Sequence, residues 1–151
     1  MSEIPLGATV TVISKDKKVL IIQRPKGKTF EGLWTVPGGK FDPIKDGNKI
    51  SEGFIYYPAE QLAIRELKEE TGIEIKQLDL KFICTLLVEK EINRFILSFY
   101  VQINKKAKDI KIKLTESNKY HWLSLNEINK YKLIAGISEE IKMALIKSGE
   151  N

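Results

Sequence analysis

Residues 63–73, AIRELKEETGI, crowd three carboxylates into about one helical turn: Glu66, Glu69 and Glu70. At about 100° per residue, positions i, i+3 and i+4 fan over one side of a helix. Ala63 and Leu67 mark the adjoining apolar stripe, so the carboxylates stand at the border of the buried face. Like charges at this spacing repel. Two things can offset the repulsion. One is solvent, with surface pairing to Arg65 and Lys68. The other is a hard divalent cation, Mg2+ or Mn2+, which prefers oxygen ligands in octahedral geometry. Carboxylates one turn apart can converge on such an ion.

The helix that carries them has legible ends. Pro58 suits a first helical position and Gly72 the left-handed position just past a helix end, so the spacing predicts a helix over 58–71. A Pro37-Gly38-Gly39 turn precedes it, where the backbone can turn sharply or approach a ligand closely. GATVTVIS (7–14) and KVLIIQR (18–24) are rich in β-branched residues and flank a polar KDKK, the pattern of a hairpin. Residues 80–89, 93–103 and 119–125 read as further strands, and 43–57 as an irregular excursion. A C-terminal helix over 138–149 carries an apolar stripe of Ile141, Ala144 and Leu145 that covers the sheet. Strands around one internal helix with a second at the end predict an α/β sandwich, and the hairpins require a mixed sheet.

The 151 residues fit one domain, and 42% hydrophobic with 30% charged residues is an ordinary globular balance. No apolar run reaches about 18 residues, so no membrane span is expected, and the N-terminus lacks the pattern of a secretory signal. The single cysteine, Cys84, sits in the apolar run FICTLLV and reads as a buried, inert thiol. A cytoplasmic protein is the simplest reading. The net charge of +5 suits a phosphate-bearing partner. The lysines are scattered, however, and the densest cluster, KKAKDIKIK (105–113), reads first as a solvated loop and edge strand. That makes nucleic acid a weaker candidate partner than a small molecule.

The doubled glycine and the acidic helix together resemble the Nudix hydrolase family, whose box runs G-x5-E-x7-R-E-U-x-E-E-x-G-U with U apolar. Arg65-Glu66-Leu67-Lys68-Glu69-Glu70-Thr71-Gly72-Ile73 matches its second half at every fixed position, and Gly39 within LWTVPGGKFD is the first glycine. The resemblance extends to KYHWLSLNEI and so to most of the chain; it implies a Nudix-like α/β/α sandwich over 1–151 with a mixed sheet. One departure stands out. Gly39 and Arg65 are 26 positions apart where the box has 14, an excess of 12 residues placed at about 43–57. Tyr57 stands where the box has its first glutamate, and Glu52 is the candidate for a displaced one.

The resemblance implies hydrolysis of a diphosphate bond in a nucleoside diphosphate linked to another moiety. It implies Glu69 and Glu70 as principal metal ligands, with the Gly38 carbonyl as a further one. Glu66 would bind metal or act as general base, and Arg65 would orient a carboxylate. Family members often use a glutamate outside the box as base or extra ligand; Glu116 is the first candidate, with Glu89 and Glu91 competing. Arg24 is placed for substrate phosphate. Tyr57, with Phe54 and Tyr56, would stack on a base, form a dimer contact, or bury the insertion against the domain. Trp34 is expected in the core, and His121 in a structural or exposed role. Two other functions stay open: removal of pyrophosphate from RNA 5′ ends, motivated by the basic charge, and a non-catalytic nucleotide-binding module, motivated by Tyr57. A homodimer is equally open.

Overall fold

Burial on both faces marks the central pair of strands. In a computed structural model that describes residues 5–89, 93–117 and 119–149, β1 (Leu6–Ile13) runs parallel to β8 (Arg94–Gln102) over eight paired positions, Leu6↔Phe95 to Ile13↔Gln102. Even-numbered β1 residues Ala8, Val10 and Val12 enter one core layer, and Ile13 enters the other. The remaining pairings between strands are antiparallel, and an isolated bridge, Trp34↔Leu133, is parallel. β7 (Lys81–Val88) closes one edge against β8; β2 (Val19–Gln23) meets β1 at Ile13↔Val19. β9 (Tyr120–Leu123) and the two-residue β3 (Trp34–Thr35) both pair with β2. The sheet is mixed, as the hairpin pattern required.

One edge of β1 is shared. Its end pairs with β2, while Gly7, Ala8 and Thr9 at its start pair with β4 (Gly38–Lys40). The chain bearing the doubled glycine is thereby held beside the parallel strand pair.

The helix α1 (Pro58–Thr71) forms where local signals place it. Ala59, Leu62, Ala63 and Leu67 bury one stripe against Ala8, Val10 and Val12. Gly72 ends the helix at φ 79°, its N–H donating to the Lys68 carbonyl. The second helix, α2 (Ile137–Gly149), covers the other face with Ile137, Ile141 and Ala144. Leu145 of the expected stripe packs at the margin of this layer, while Glu140 and Ser148 are buried.

Four expectations need correcting. Residues 43–57 contain a hairpin, β5 (Asn48–Ser51) with β6 (Phe54–Tyr56), in place of an irregular excursion. Its aromatics do not bury it against the domain: Phe54, Tyr56 and Tyr57 are 61%, 47% and 50% exposed. Residues 105–113 form a 3₁₀ turn at Ala107–Asp109 and no edge strand. Trp34 meets Tyr131 edge-on at 5.3 Å within the α2-side layer, and His121 stacks on Tyr131 at 4.7 Å, 3.2 Å from Glu127. Cys84, expected to be buried, is only half-buried at the edge of the α2-side layer, and burial pushes its thiol up. No helix among the described residues is long and apolar enough to cross a membrane.

Candidate active site

α1 presents its acidic flank to the doubled glycine. The Glu70 carboxylate accepts the Gly38 N–H at 2.9 Å. Glu66 lies over Gly39: a Cβ there would stand 2.5 Å from its Cδ and Oε1. Glycine at 39 is what lets this carboxylate reach the strand. Gly39→Ala is therefore expected to displace the flexible end of Glu66 and lower turnover at least about tenfold, with little change in melting temperature. Steady-state rates beside a thermal melt check this; an unaltered rate would show that the position of Glu66 is immaterial.

Arg65 is the hub. Its Nε and Nη2 hold Asp46 Oδ1 and Oδ2 at 2.6 and 2.9 Å, a bidentate pair. Its Nη1 reaches Glu66 at 3.0 Å and Glu69 at 3.1 Å, and Nη2 reaches the Lys40 carbonyl at 3.3 Å. Asp46 is 1% exposed. It comes from the insertion, and the sequence reading overlooked it. The insertion thus gives Arg65 its bidentate partner, Asp46, while Glu52, the candidate for a displaced glutamate, sits exposed at the hairpin turn.

Burial, more than mutual repulsion, works against the charged forms of Glu66 and Glu70. Burial, then Glu66, pushes the Glu70 carboxyl up to about 8, against the Gly38 N–H. Burial also raises Glu66, with Arg65 opposing and Glu69 adding to the rise. Glu70 therefore holds its proton in the metal-free fold at pH values where the unfolded chain has released it. Stability from this group is full below about pH 4.5 and is lost as pH rises towards about 8. Metal-free protein should lose melting temperature over that window, and Glu70→Gln should lose less, keeping only the part that Glu66 and Glu140 contribute. Thermal melts in chelator from pH 5 to 8.5 decide the matter; parallel curves for the two proteins would refute it.

A cleft of about 590 Å3 opens beside these groups. Gly38, Gly39, Glu66, Glu69 and Glu70 line one side. Arg24, Arg94, Thr115 and Glu116 also line it, and Thr115 donates to the Glu69 carbonyl at 2.8 Å. The structure brings together most of the residues picked from sequence, with Glu52 and three others as exceptions. Tyr57 caps α1 in a left-handed conformation, φ 57°, outside the cleft lining. Glu89 is exposed beyond β7 and also lies outside the lining, and Glu91 falls outside the described residues.

Arg94 was missed in the sequence. Its stem crosses Gly7, where a Cβ would lie 2.5 Å from Arg94 Cδ. Its Nε is buried with no hydrogen-bond partner among the described residues. Burial, then the charge of Arg24, lowers its pKa. Its signal was faint: an arginine at the first position of a strand, with a face set only by register.

The donor set fits a hard cation. The oxygens of Glu66, Glu69 and Glu70 border one cleft, and their mutual repulsion is what a dication would relieve. Among the described residues no three acidic side chains are already gathered as a cage. Arg65 engages two of them from the side.

A sequence model of the NUDIX domain matches residues 4–144. The chain belongs to the Nudix family. As a Nudix hydrolase it is an enzyme that acts on phosphoanhydride bonds. Similar curated proteins include an uncharacterized Nudix hydrolase of Bacillus subtilis, 26% identical over 131 residues, or 85% of this chain and 72% of that protein. A CTP pyrophosphohydrolase of Escherichia coli is 36% identical over 69 residues, spanning 46% of this chain and 42% of the relative. An 8-oxo-dGTP diphosphatase of Proteus vulgaris is 34% identical over 80 residues, spanning 53% and 55%. Among solved structures, a MutT/nudix family protein from Enterococcus faecalis superposes with TM-score 0.76 at 19% identity, covering all of this chain and 64% of that one. The Nudix fold is thus shared well beyond the box.

Proposed function

We propose that this Nudix enzyme hydrolyses a diphosphate bond in a nucleoside diphosphate linked to another moiety, with Mg2+ or Mn2+ as cofactor. The observation that carries the reading is one cleft bordered both by the carboxylates of α1 and by two guanidiniums, Arg24 and Arg94, that form no ion pair among the described residues. A diphosphate matches both: its oxygens suit the guanidiniums, and its remaining charge suits a cation held by carboxylates.

Glu69, Glu70, Glu66 and the Gly38 carbonyl would hold the metal. When bound, the cation neutralises diphosphate charge and makes a water more acidic. Every other task falls to the chain itself. Arg24 and Arg94 bind and orient the phosphates, since substitution at phosphorus depends mainly on positioning and electrostatics. Arg65, anchored by Asp46, fixes the side-chain angles of Glu66 and Glu69. Glu116, at the exposed rim of the same cleft, is the proposed base that takes a proton from the attacking water, with Glu66 the alternative.

Against the non-catalytic reading, which Tyr57 motivates, stands Asp46: the insertion still brings a carboxylate onto Arg65 beside the acidic helix. The RNA 5′-end reading still rests on net charge alone. Incubating the protein with nucleoside triphosphates, nucleotide sugars, dinucleoside polyphosphates and 5′-triphosphorylated RNA, with Mg2+ or Mn2+, tests the proposal by product mass. Label from 18O water then reports which phosphorus is attacked. No cleavage of any of these would overturn it.

A further inference from the structure

A buried acid stands in the cleft with no part in the chemistry above. Glu140, in the first turns of α2, is 4% exposed and yet lines the cleft. Thr9 Oγ1 donates to its Oε1 at 2.7 Å, and the Ser98 hydroxyl donates to the same oxygen. No lysine or arginine pairs with it, and its Oε2 accepts no protein hydrogen bond among the described residues. A buried carboxyl group of this kind costs stability unless something compensates. The hydroxyls satisfy one oxygen only.

The surroundings say what the other oxygen meets. Val36, Ile96 and Ile137 line the same cleft, an apolar setting suited to a flat ring. Arg94, Ile96 and Ser98 alternate along one face of β8, so the backbone positions of Arg94 and of Ser98, the Glu140 partner, lie roughly 13 Å apart along the strand. A nucleotide with its phosphates at Arg94 would lay its base towards Glu140. Burial raises the Glu140 carboxyl, and the Ser98 and Thr9 hydroxyls oppose that rise by donating to the charged form; in that form Oε2 is left as a pure acceptor. Uracil and hypoxanthine carry a carbonyl or hydrogen where cytosine and guanine carry an amino group. Facing Oε2, a carbonyl repels and an amino group donates.

We propose that Glu140 is the specificity-determining residue of this cleft, selecting nucleotides whose base bears an exocyclic amino group. The inference rests on the nucleotide reading above and names the substrate class within it.

The test compares kcat/KM for two pairs, CTP with UTP and GTP with ITP, in wild type, Glu140→Gln and Glu139→Gln. Wild type should favour the amino member of each pair it hydrolyses by about tenfold or more, since a site built to accept an N–H rejects the analogue lacking it. Glu140→Gln places an amide donor where Oε2 stood, and should bring the ratio to within about twofold or invert it. Glu139, exposed and bonded to Ser138, serves as control and should leave the ratio as in wild type. Ratios within twofold in wild type, or equal ratios in wild type and Glu140→Gln, overturn the assignment while leaving hydrolysis intact. If Glu140→Gln does not fold, the wild-type ratios alone decide. If no nucleotide is cleaved, the hydrolase reading fails by itself. Calorimetric affinities for the same pairs then judge Glu140, and equal affinities within each pair, or no binding, overturn it.

Discussion

Changing Glu69 and Glu70 together to glutamine lowers turnover by about 10³-fold or more, without loss of the fold. The size follows from removing two anionic ligands from a site whose catalysis depends on preorganised charge. A glutamine keeps the shape of each side chain and one oxygen, so α1 still packs through Leu62, Ala63 and Leu67, none of which is touched. Stability should not fall. Glu70 in the metal-free fold is a carboxyl pushed up to about 8, and glutamine removes the strain of ionising it. Circular dichroism and a thermal melt near pH 8 establish the fold; phosphate or pyrophosphate release with saturating Mg2+ gives the rate. Turnover within a few fold of wild type would remove these residues from the chemistry.

Asp46→Ala is the second large effect, and it reaches stability first. Asp46 is 1% exposed and binds Arg65 through both oxygens. Removing it leaves a partly buried guanidinium without its principal partner. Breaking a buried pair in this way costs about 3–5 kcal/mol. Arg65 keeps some solvent and two other carboxylates, which brings the expectation to about 2–3 kcal/mol, or roughly 5–10 °C in melting temperature. Freed from Asp46, Arg65 no longer sets the angles of Glu66 and Glu69. A displacement of about 1 Å at such a centre costs on the order of 10²-fold in rate. Asp46 also accepts the Asp42 N–H at 2.8 Å, so the start of the insertion should loosen too. A melt unchanged within 1–2 °C would show that the insertion does not brace the site.

The insertion is therefore more than a spacer. Its first part sends Asp46 back under α1, and its second part forms the β5–β6 hairpin with its aromatics outward. The sequence pointed to a missing glutamate at Tyr57. The fold shows Arg65 served from 19 residues away by a side chain of another length.

Local physics made α1 readable from sequence alone. A proline at its start, a glycine at its end and a 3.6-residue apolar repeat all act within a few residues, so 58–71 could be bounded without a structure. The same holds for the β1–β2 hairpin and for the spacing of Glu66, Glu69 and Glu70, which motif and helix geometry fix together. Pairing across the chain was beyond that reach. Arg94 and Glu140 join the cleft only because β8 lies parallel to β1 and α2 packs on that face, contacts spanning 89 positions for Thr9 with Ser98 and 131 for Thr9 with Glu140. Strand register decides which alternate residues face the cleft, and register is a property of two distant segments together.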